Sequence, residues 1–524
     1  MSTSTEKKSS LLVAAGRVSS ATAVSRVLGL VREQVMAYFF GASMATDVFV
    51  TAFRIPNLLR DLFAEGALSS AFVPIFKERL VKGTDEEAFD LARIVFTALL
   101  VVVGLIVLLG IVASPLIIYI SANGFTENAV KFDLTVSLTR VMMPFLLLVS
   151  LAALVMGMLN SFGRFGVPAI APAFFNLGII VCTFGLYHYL EMPVYAMAIG
   201  VLVGGLGQLF IQWPQLRKVG FRFRFRFNFL DENVKRVLRL FGPMVAGLSA
   251  SRVNILVSTL VASYLVEGSI SYLNYSYRLM HFPLGVFAVA LGTVTLPNAS
   301  ELAARRDLRS LGDAFHKALN LNMFLIIPSA FYLALLGYDL VSLVYQWGAF
   351  GETAAHNTAF TLFHYSYGLI GFAAVRVTAP IYYALNDSKT PMWTSMASVA
   401  LNIALYYPLV KILDFAGLAA ATSIAGLVNF GLLLYLLPRK DVPVDFPAVF
   451  LNVFRMVVAA GLAAFLAEHL PQFFGGDLTE GMRRTLTLAT KTLAVGVLYF
   501  VFCYVLRVRE VSILVKRTIL RRPG

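Results

Sequence analysis

Arginines inside apolar stretches are the residues of this sequence best suited to do chemistry. Arg32, Arg60 and Arg278 each lie within a long, mostly apolar stretch. A charge at the centre of a membrane-spanning helix costs about 2.5–3.5 kcal/mol, and residues kept there are usually functional. Because a guanidinium group binds phosphate oxygens in a bidentate way, the pattern predicts a site for a phosphate-bearing anion.

Helix geometry predicts that the three arginines share one central slab. With a rise of ~1.5 Å per residue, Arg32 lies about 12 Å, Arg278 about 15 Å and Arg60 about 21 Å from the outer helix ends. The alternative is that neighbouring acids pair with these arginines and only stabilise helix packing. Those acids are Glu33, Asp61 and Glu65. Arg140 and Arg376 are also compatible with plain ion pairs.

The sequence lacks the motifs of an enzyme, a cofactor site or a metal site. Its histidines form no HExxH motif and no pair at positions i and i+4, so no metal site is predicted. The GGLG run at 204–207 lies inside an apolar stretch, where it indicates close helix packing. Cys182 and Cys503 also lie in apolar runs, which argues against a disulfide framework.

Composition indicates a membrane protein. Of 524 residues, 58% are hydrophobic and 14% charged, against roughly 25% charged in soluble domains. The net charge of +14 comes from basic residues between apolar stretches, which set membrane topology, so nucleic acid is not an expected partner.

About fourteen stretches are long enough to span a bilayer, which takes about 20 apolar residues. Basic residues gather in alternate linkers, with exceptions at Lys131, Lys411 and the Arg483–Arg484 pair, so both termini are predicted to be cytoplasmic. The stretches are 11–40, 46–76, 91–121, 134–162, 167–189, 193–214, 239–264, 268–298, 316–344, 358–385, 391–413, 416–437, 447–470 and 485–507.

An internal repeat relates the two halves of the chain. The tripeptide Ser25-Arg26-Val27 recurs as Ser251-Arg252-Val253, and Asn176 recurs as Asn402. Two parallel six-helix repeats of this kind are typical of transporters with a central site. The predicted parts are an N-terminal lobe at 1–218, a cytoplasmic linker at 219–238, a C-terminal lobe at 239–440, and two extra helices with a basic tail at 441–524.

The linker contains the strictly alternating run FRFRFRF at 221–227. Such alternation predicts a strand or another extended segment. We expect it to lie at the membrane interface, with phenylalanine toward lipid and arginine toward phosphates.

Several of these motifs resemble the MurJ/MviN family of lipid II flippases. They are SRVLGLVRE at 25–33, GASMATDVFVTAFRIPNLLRDLFAEGALSSAFVPIF at 41–76, YRLMHFPLGVFAVALGTVTLP at 277–297 and NDSKTP at 386–391. The resemblance implies two six-helix lobes around a central cavity, with two extra helices forming a groove for a lipid tail. It also implies substrate-binding roles for Arg32, Arg60 and Arg278. Functional or gating roles follow for Arg26, Glu33, Asp47, Asn57 and Glu65.

The resemblance implies a transporter and not an enzyme. We expect it to flip lipid II to the outer leaflet of a bacterial inner membrane by alternating access, as a monomer whose partners are lipid II and membrane lipids. Two alternatives stay open: a flippase for another undecaprenyl-pyrophosphate-linked glycan, and a membrane glycan polymerase or ligase. The short outer linkers, roughly a dozen residues, leave little room for the catalytic loop that an enzyme would need.

Overall fold

The computed structural model describes residues 2–60, 67–228, 231–471 and 479–511. In these residues the backbone forms helices and loops, with no β-strand, which confirms the all-α prediction. The chain divides into two compact units, Met1–Ile270 and Ser271–Gly524. Asp61 and Glu65 lie outside the described residues.

The first unit contains long apolar helices joined by short loops. Its helices are α1 (Ser2–Phe40), α2 (Met44–Arg60), α3 (Ala67–Lys82), α4 (Asp85–Val112), α5 (Ser114–Ser121), α6 (Ala129–Met142), α7 (Phe145–Ser161), α8 (Gly166–Leu186), α9 (Val194–Phe210), α10 (Trp213–Lys218) and α11 (Glu232–Ser263).

The second unit begins at Ser271, inside α12. Residues Leu284–Ala288 form a π-helical stretch between α12 and α13. The helices are α12 (Ser269–Pro283), α13 (Val289–Ala304), α14 (Leu308–Leu335), α15 (Gly337–Tyr345), α16 (Glu352–Ala384), α17 (Lys389–Leu413), α18 (Ala416–Leu436), α19 (Phe446–Glu468) and α20 (Glu480–Val505).

Hydropathy marks nine helical segments of the described residues as long and apolar enough to cross a membrane. The chain is therefore a polytopic membrane protein. The other predicted stretches fall on α1, on α2 with α3, on α11, on α12 with α13, and on α16. Of these helices, α1 and α2 carry the buried or half-buried charges discussed below, which lower their hydropathy. The count of fourteen spans stays a prediction.

Glycine allows α8 and α9 to pack backbone against backbone. A Cβ atom at Gly204 would lie 2.5 Å from the backbone oxygen of Phe175, and one at Gly178 would lie 2.4 Å from Gly204 Cα. No larger residue fits at either position without a shift of the helices. The prediction that the 204–207 run serves close helix packing is confirmed.

A face of small residues on α19 packs against α14. Ala459, Ala460 and Ala463 are fully buried in a cluster that includes Met323 and Ile327 of α14. Because alanine lets two helix backbones approach closely, dispersion contacts can hold this pair together in lipid. The opposite faces of α19 and α20 remain exposed and apolar.

The loop that follows α16 is held by hydrogen bonds and an ion pair at Asp387. Asp387 accepts hydrogen bonds from the backbone N–H groups of Lys389 and Thr390 at 3.1 and 3.0 Å, and Lys440 Nζ lies 2.8 Å from its second oxygen. The Lys440 ammonium and the Thr390 donors hold the pKa of Asp387 far below its usual range. The bond to Lys440 ties the loop after α16 to the end of the stretch after α18.

Candidate functional site

Arg32 lies near the C-terminal end of α1, and its guanidinium group reaches α8. Nη1 donates a hydrogen bond to Asn176 Oδ1 at 3.1 Å, and Nη2 lies 2.5 Å from Glu33 Oε1. The side chains of Arg32 and Glu33 are 14% and 5% exposed. Both charges are thus largely withdrawn from solvent, where each stabilises the ionised form of the other.

Asn176 orients Arg32 from the neighbouring helix. Its Nδ2 donates a hydrogen bond to the backbone oxygen of Ser25 at 3.2 Å, while its Oδ1 accepts from Arg32. The guanidinium carbon also lies 5.7 Å from the ring centroid of Phe175. A Cβ atom at Gly29 would lie 3.6 Å from Nδ2, an ordinary van der Waals distance. The guanidinium group is therefore positioned in advance, and an anion binding to it would compete with Glu33.

The other first-unit candidates lie on α1 and α2. Arg26 is exposed on α1, roughly two turns before Arg32. Asn57 and Arg60 are half-buried in the last turn of α2. Arg54, also on α2, donates a hydrogen bond to Thr259 of α11.

Asp47 lies in the first turn of α2 and is 1% exposed. Its Oδ2 accepts a hydrogen bond from the backbone N–H of Gly268 at 2.8 Å, and Lys131 Nζ lies 3.6 Å from the same oxygen. The ammonium group of Lys131 also lies 4.2 Å from the ring centroid of Phe125. A carboxylate near a helix N-terminus is favoured by the helix dipole, and here it also fixes the loop that follows α11.

Further hydrogen bonds fix the same loop. Glu267 Oε1 accepts from the backbone N–H of Met44 at 2.7 Å, and Tyr264 Oη donates to Asn123 Oδ1 at 2.8 Å. Ser263 Oγ accepts from the backbone N–H of Gly124 at 3.0 Å. We call the contacts of residues 263–268 with α2 and residues 123–131 the α11 clasp.

Arg278 belongs to the second unit, where it is exposed on α12. The rings of Tyr277 and His281 lie 3.9 Å apart beside it, and Tyr277 also meets Tyr365 of α16 at 5.8 Å. Arg376 of α16 is exposed as well. The second unit thus has a basic surface of its own, lined by aromatic rings.

The structure brings Arg32 together with Glu33 and places Asp47 in a separate cluster. Convergence of Arg32, Arg60 and Arg278 on one anion stays a prediction, because Arg278 belongs to the other unit. Two contributors were not assigned functional roles from the sequence: Asn176, which orients Arg32, and Lys131, which pairs with Asp47. Asn176 was visible as a repeated residue, and Lys131 as an exception to the alternation of basic linkers.

Comparison with known proteins shows the family of this chain. The model of the family described as lipid II flippase MurJ matches residues 36–482. A lipid II flippase MurJ of Burkholderia cenocepacia is 35% identical over 427 residues, which cover 81% of this chain and 83% of the relative.

Solved structures show the same fold. A lipid II flippase MurJ in an inward closed conformation matches with a TM-score of 0.75 and 28% identity, over 93% of this chain and 99% of that one. An inward-facing multidrug resistance MATE family transporter of the MOP superfamily has a TM-score of 0.65 at 14% identity, covering 80% and 94%. The second likeness concerns the fold alone. With most of its length matched by the family model, this chain belongs to the lipid II flippase MurJ family, a family of transporters.

Proposed function

We propose that this protein moves lipid II from the cytoplasmic to the outer leaflet of a bacterial inner membrane by alternating access. The observation that carries the proposal is the family match across residues 36–482. Arg32, largely buried and oriented by Asn176, supports it, because a preorganised guanidinium group suits a phosphate ligand.

The central step is exchange of partners at Arg32. Moving a charged phosphate through hydrocarbon is prohibitively costly, so the protein must supply counter-charge along the path. The pyrophosphate of the substrate would take the place of Glu33 beside Arg32, with Arg60 and Arg278 as further cationic contacts. Glu33 would reclaim the guanidinium group after release, so that no uncompensated buried charge is left in the empty transporter.

Alternating access requires the α11 clasp to open. Asp47, Lys131 and Glu267 hold the loop after α11 against α2 and α6. We propose that these contacts form the closed outer gate and break when the site turns outward. Arg26 and Asn57 are proposed to act in the same conformational cycle, together with Glu65, which lies outside the described residues.

The proposed topology has fourteen spans, two parallel six-helix lobes at 1–218 and 239–440, a linker at 219–238 and cytoplasmic termini. The gathering of basic residues in alternate linkers supports it. Two of the exceptions contact acids: Lys131 lies 3.6 Å from Asp47, and Arg484 pairs with Glu480. We propose a monomer as the functional unit.

Helices α19 and α20, within residues 441–524, are proposed to guide the lipid tail. Their outward faces are apolar: Phe450 is 76% exposed, Phe454 61%, and Leu493 70%. Removing residues 447–524 should leave an inserted protein that cannot flip long-chain substrate. Growth of cells that rely on the truncated protein as their sole flippase would refute the proposed role of α19 and α20 in guiding the lipid tail.

The function is tested with purified protein in liposomes that contain fluorescent lipid II. Addition of membrane-impermeant dithionite should bleach nearly all of the label when the protein is active and about half when it is not. Headgroup selectivity is measured by comparing this transport rate with that in matched liposomes that contain another labelled undecaprenyl-pyrophosphate glycan. Equal rates for both lipids would contradict lipid II as the preferred substrate, and no transport of either would refute the flippase.

A further inference from the structure

The alternating run at 221–227, which we call the strap, lies along α4. Phe221 is 1% exposed, and its ring meets that of Phe89 at 5.6 Å. Phe223 packs on Phe96 at 4.7 Å. The expectation that every phenylalanine of the run faces lipid is therefore wrong for Phe221, which packs into the protein and anchors one end of the strap.

A buried arginine of α4 holds the strap in place. Arg93 is 4% exposed, and its Nε donates a hydrogen bond to the backbone oxygen of Arg222 at 2.9 Å. Its Nη1 lies 2.6 Å from Glu86 Oε1 and 2.7 Å from Asp90 Oδ1, so the charge is compensated. Because a buried guanidinium group is stable only with such partners, this contact fixes the strap backbone on α4.

The strap runs along α4 toward the apolar part of that helix. Its contacts pass from Phe89 to Arg93 and then to Thr97, whose Oγ1 accepts a hydrogen bond from the backbone N–H of Arg226 at 3.2 Å. Eight residues of helix correspond to about 12 Å. Beyond Thr97, one face of α4 is exposed and apolar, as expected of a lipid-facing surface. It includes Val101, Val102, Leu105, Leu108 and Leu109.

The C-terminal half of the strap presents exposed rings, and exposed charges lie beside them. Phe225 is 63% and Phe227 69% exposed, and their rings stack at 6.2 Å. Arg222 and Arg224 are exposed, whereas Arg226 lies 3.4 Å from Asp90. Exposed aromatic rings beside guanidinium groups suit the boundary between lipid headgroups and acyl chains.

We propose that the strap is a binding site for anionic phospholipid in the leaflet at the start of α4. Phe225 and Phe227 insert at the headgroup boundary, and Arg222 and Arg224 bind lipid phosphates. Two features favour this occupant. The exposed charges of the strap complement an anionic leaflet, and its rings continue the exposed apolar surface of α4. The strap thus fixes the depth of the linker in the membrane.

The test uses the full-length protein with Phe225→Trp in nanodiscs containing brominated lipid. Signal from the native tryptophans is subtracted using the unmodified protein. Brominated phosphatidylglycerol should quench the introduced tryptophan more strongly than brominated phosphatidylcholine. Arg222→Gln and Arg224→Gln are then added to the Phe225→Trp protein. The ratio of its affinity for phosphatidylglycerol to that for phosphatidylcholine should fall about 30-fold, because each basic group near an anionic surface contributes about a fivefold gain in binding.

A matched control removes two exposed arginines elsewhere. Arg306→Gln/Arg309→Gln carries the same change in net charge and should leave the preference at position 225 unchanged. Equal quenching by both lipids in the parent protein would overturn the headgroup site. Absence of quenching by either lipid would place the strap in water, and a soluble acidic partner would then be the better explanation.

Discussion

Replacing Arg32 separates its role in binding from its role in packing. Arg32→Ala removes a charge-assisted contact of roughly 1.5–3 kcal/mol, which corresponds to about a 10- to 100-fold loss of substrate affinity. It also leaves the Glu33 carboxylate, 5% exposed, without the guanidinium group that lies 2.5 Å away. Breaking a buried pair in this way costs about 3–5 kcal/mol. The single variant should therefore lose both transport and stability.

The double variant Arg32→Ala/Glu33→Ala removes the uncompensated carboxylate as well. We expect it to regain membrane abundance and thermal stability while it remains inactive. Arg32→Lys keeps the charge but loses the bidentate geometry, and should retain part of the activity. Asn176→Ala is the matched control, because it removes a hydrogen bond to Arg32 and no charge. Its cost of about 0.5–1.5 kcal/mol limits the loss of affinity to about tenfold.

Three measurements decide the outcome: protein abundance in membranes, unfolding temperature in detergent, and the initial rate of lipid II transport at equal protein. Transport by the double variant at the wild-type rate would refute the reasoning. Arg32 would then act only as the packing partner of Glu33. Inactivity of every variant with unchanged stability would instead show that the pair contributes nothing to folding.

Three further results are expected. A Ser43→Cys variant should react with an impermeant maleimide from outside while Ser10→Cys should not; the reverse pattern would overturn the topology. Gly204→Ala should lower the unfolding temperature, because its methyl group would lie 2.5 Å from a backbone oxygen and overpacking costs about 1–3 kcal/mol, whereas Gly185→Ala, with open space around it, should not. Asp387→Asn should destabilise the protein equally from about pH 5 to about pH 8. The depressed pKa keeps this carboxylate charged there, so its contribution is complete above its usual value of 3.8 and is lost only as the pH falls through the lower folded value. A difference that shrinks between neutral pH and about pH 5 would contradict that assignment.

Strongly apolar helices could be predicted from the sequence because hydropathy adds along the chain. The span predicted at 91–121 covers most of α4, Asp85–Val112, and continues over α5. The apolar part of α4 has a mean hydropathy of 3.1. The same sum cannot detect a local change in hydrogen bonding. The span predicted at 268–298 contains the π-helical stretch Leu284–Ala288 between two α-helices, and no hydropathy value marks it.

The candidate site was predictable only where partners are close in sequence. Glu33 was named as a partner for the arginines, and it contacts Arg32. The pair of Asp47 and Lys131 depends on how α2 packs beside α6, and a single sequence does not reveal that packing. The burial of Phe221 against Phe89 was missed for a similar reason. Alternation predicts that the strap has two faces, but it does not predict that α4 covers one of them.

The alanine face of α19 has a consequence for biosynthesis. Glu468, the last residue of α19, lies 133 positions after Leu335, the last residue of α14. At about 5–20 residues per second, the ribosome finishes α19 roughly 7–27 s after its partner helix. During that interval the face of α14 around Met323 must be shielded by lipid or by the insertion machinery. A nascent chain that stalls before residue 446 would present this face as a signal for quality control.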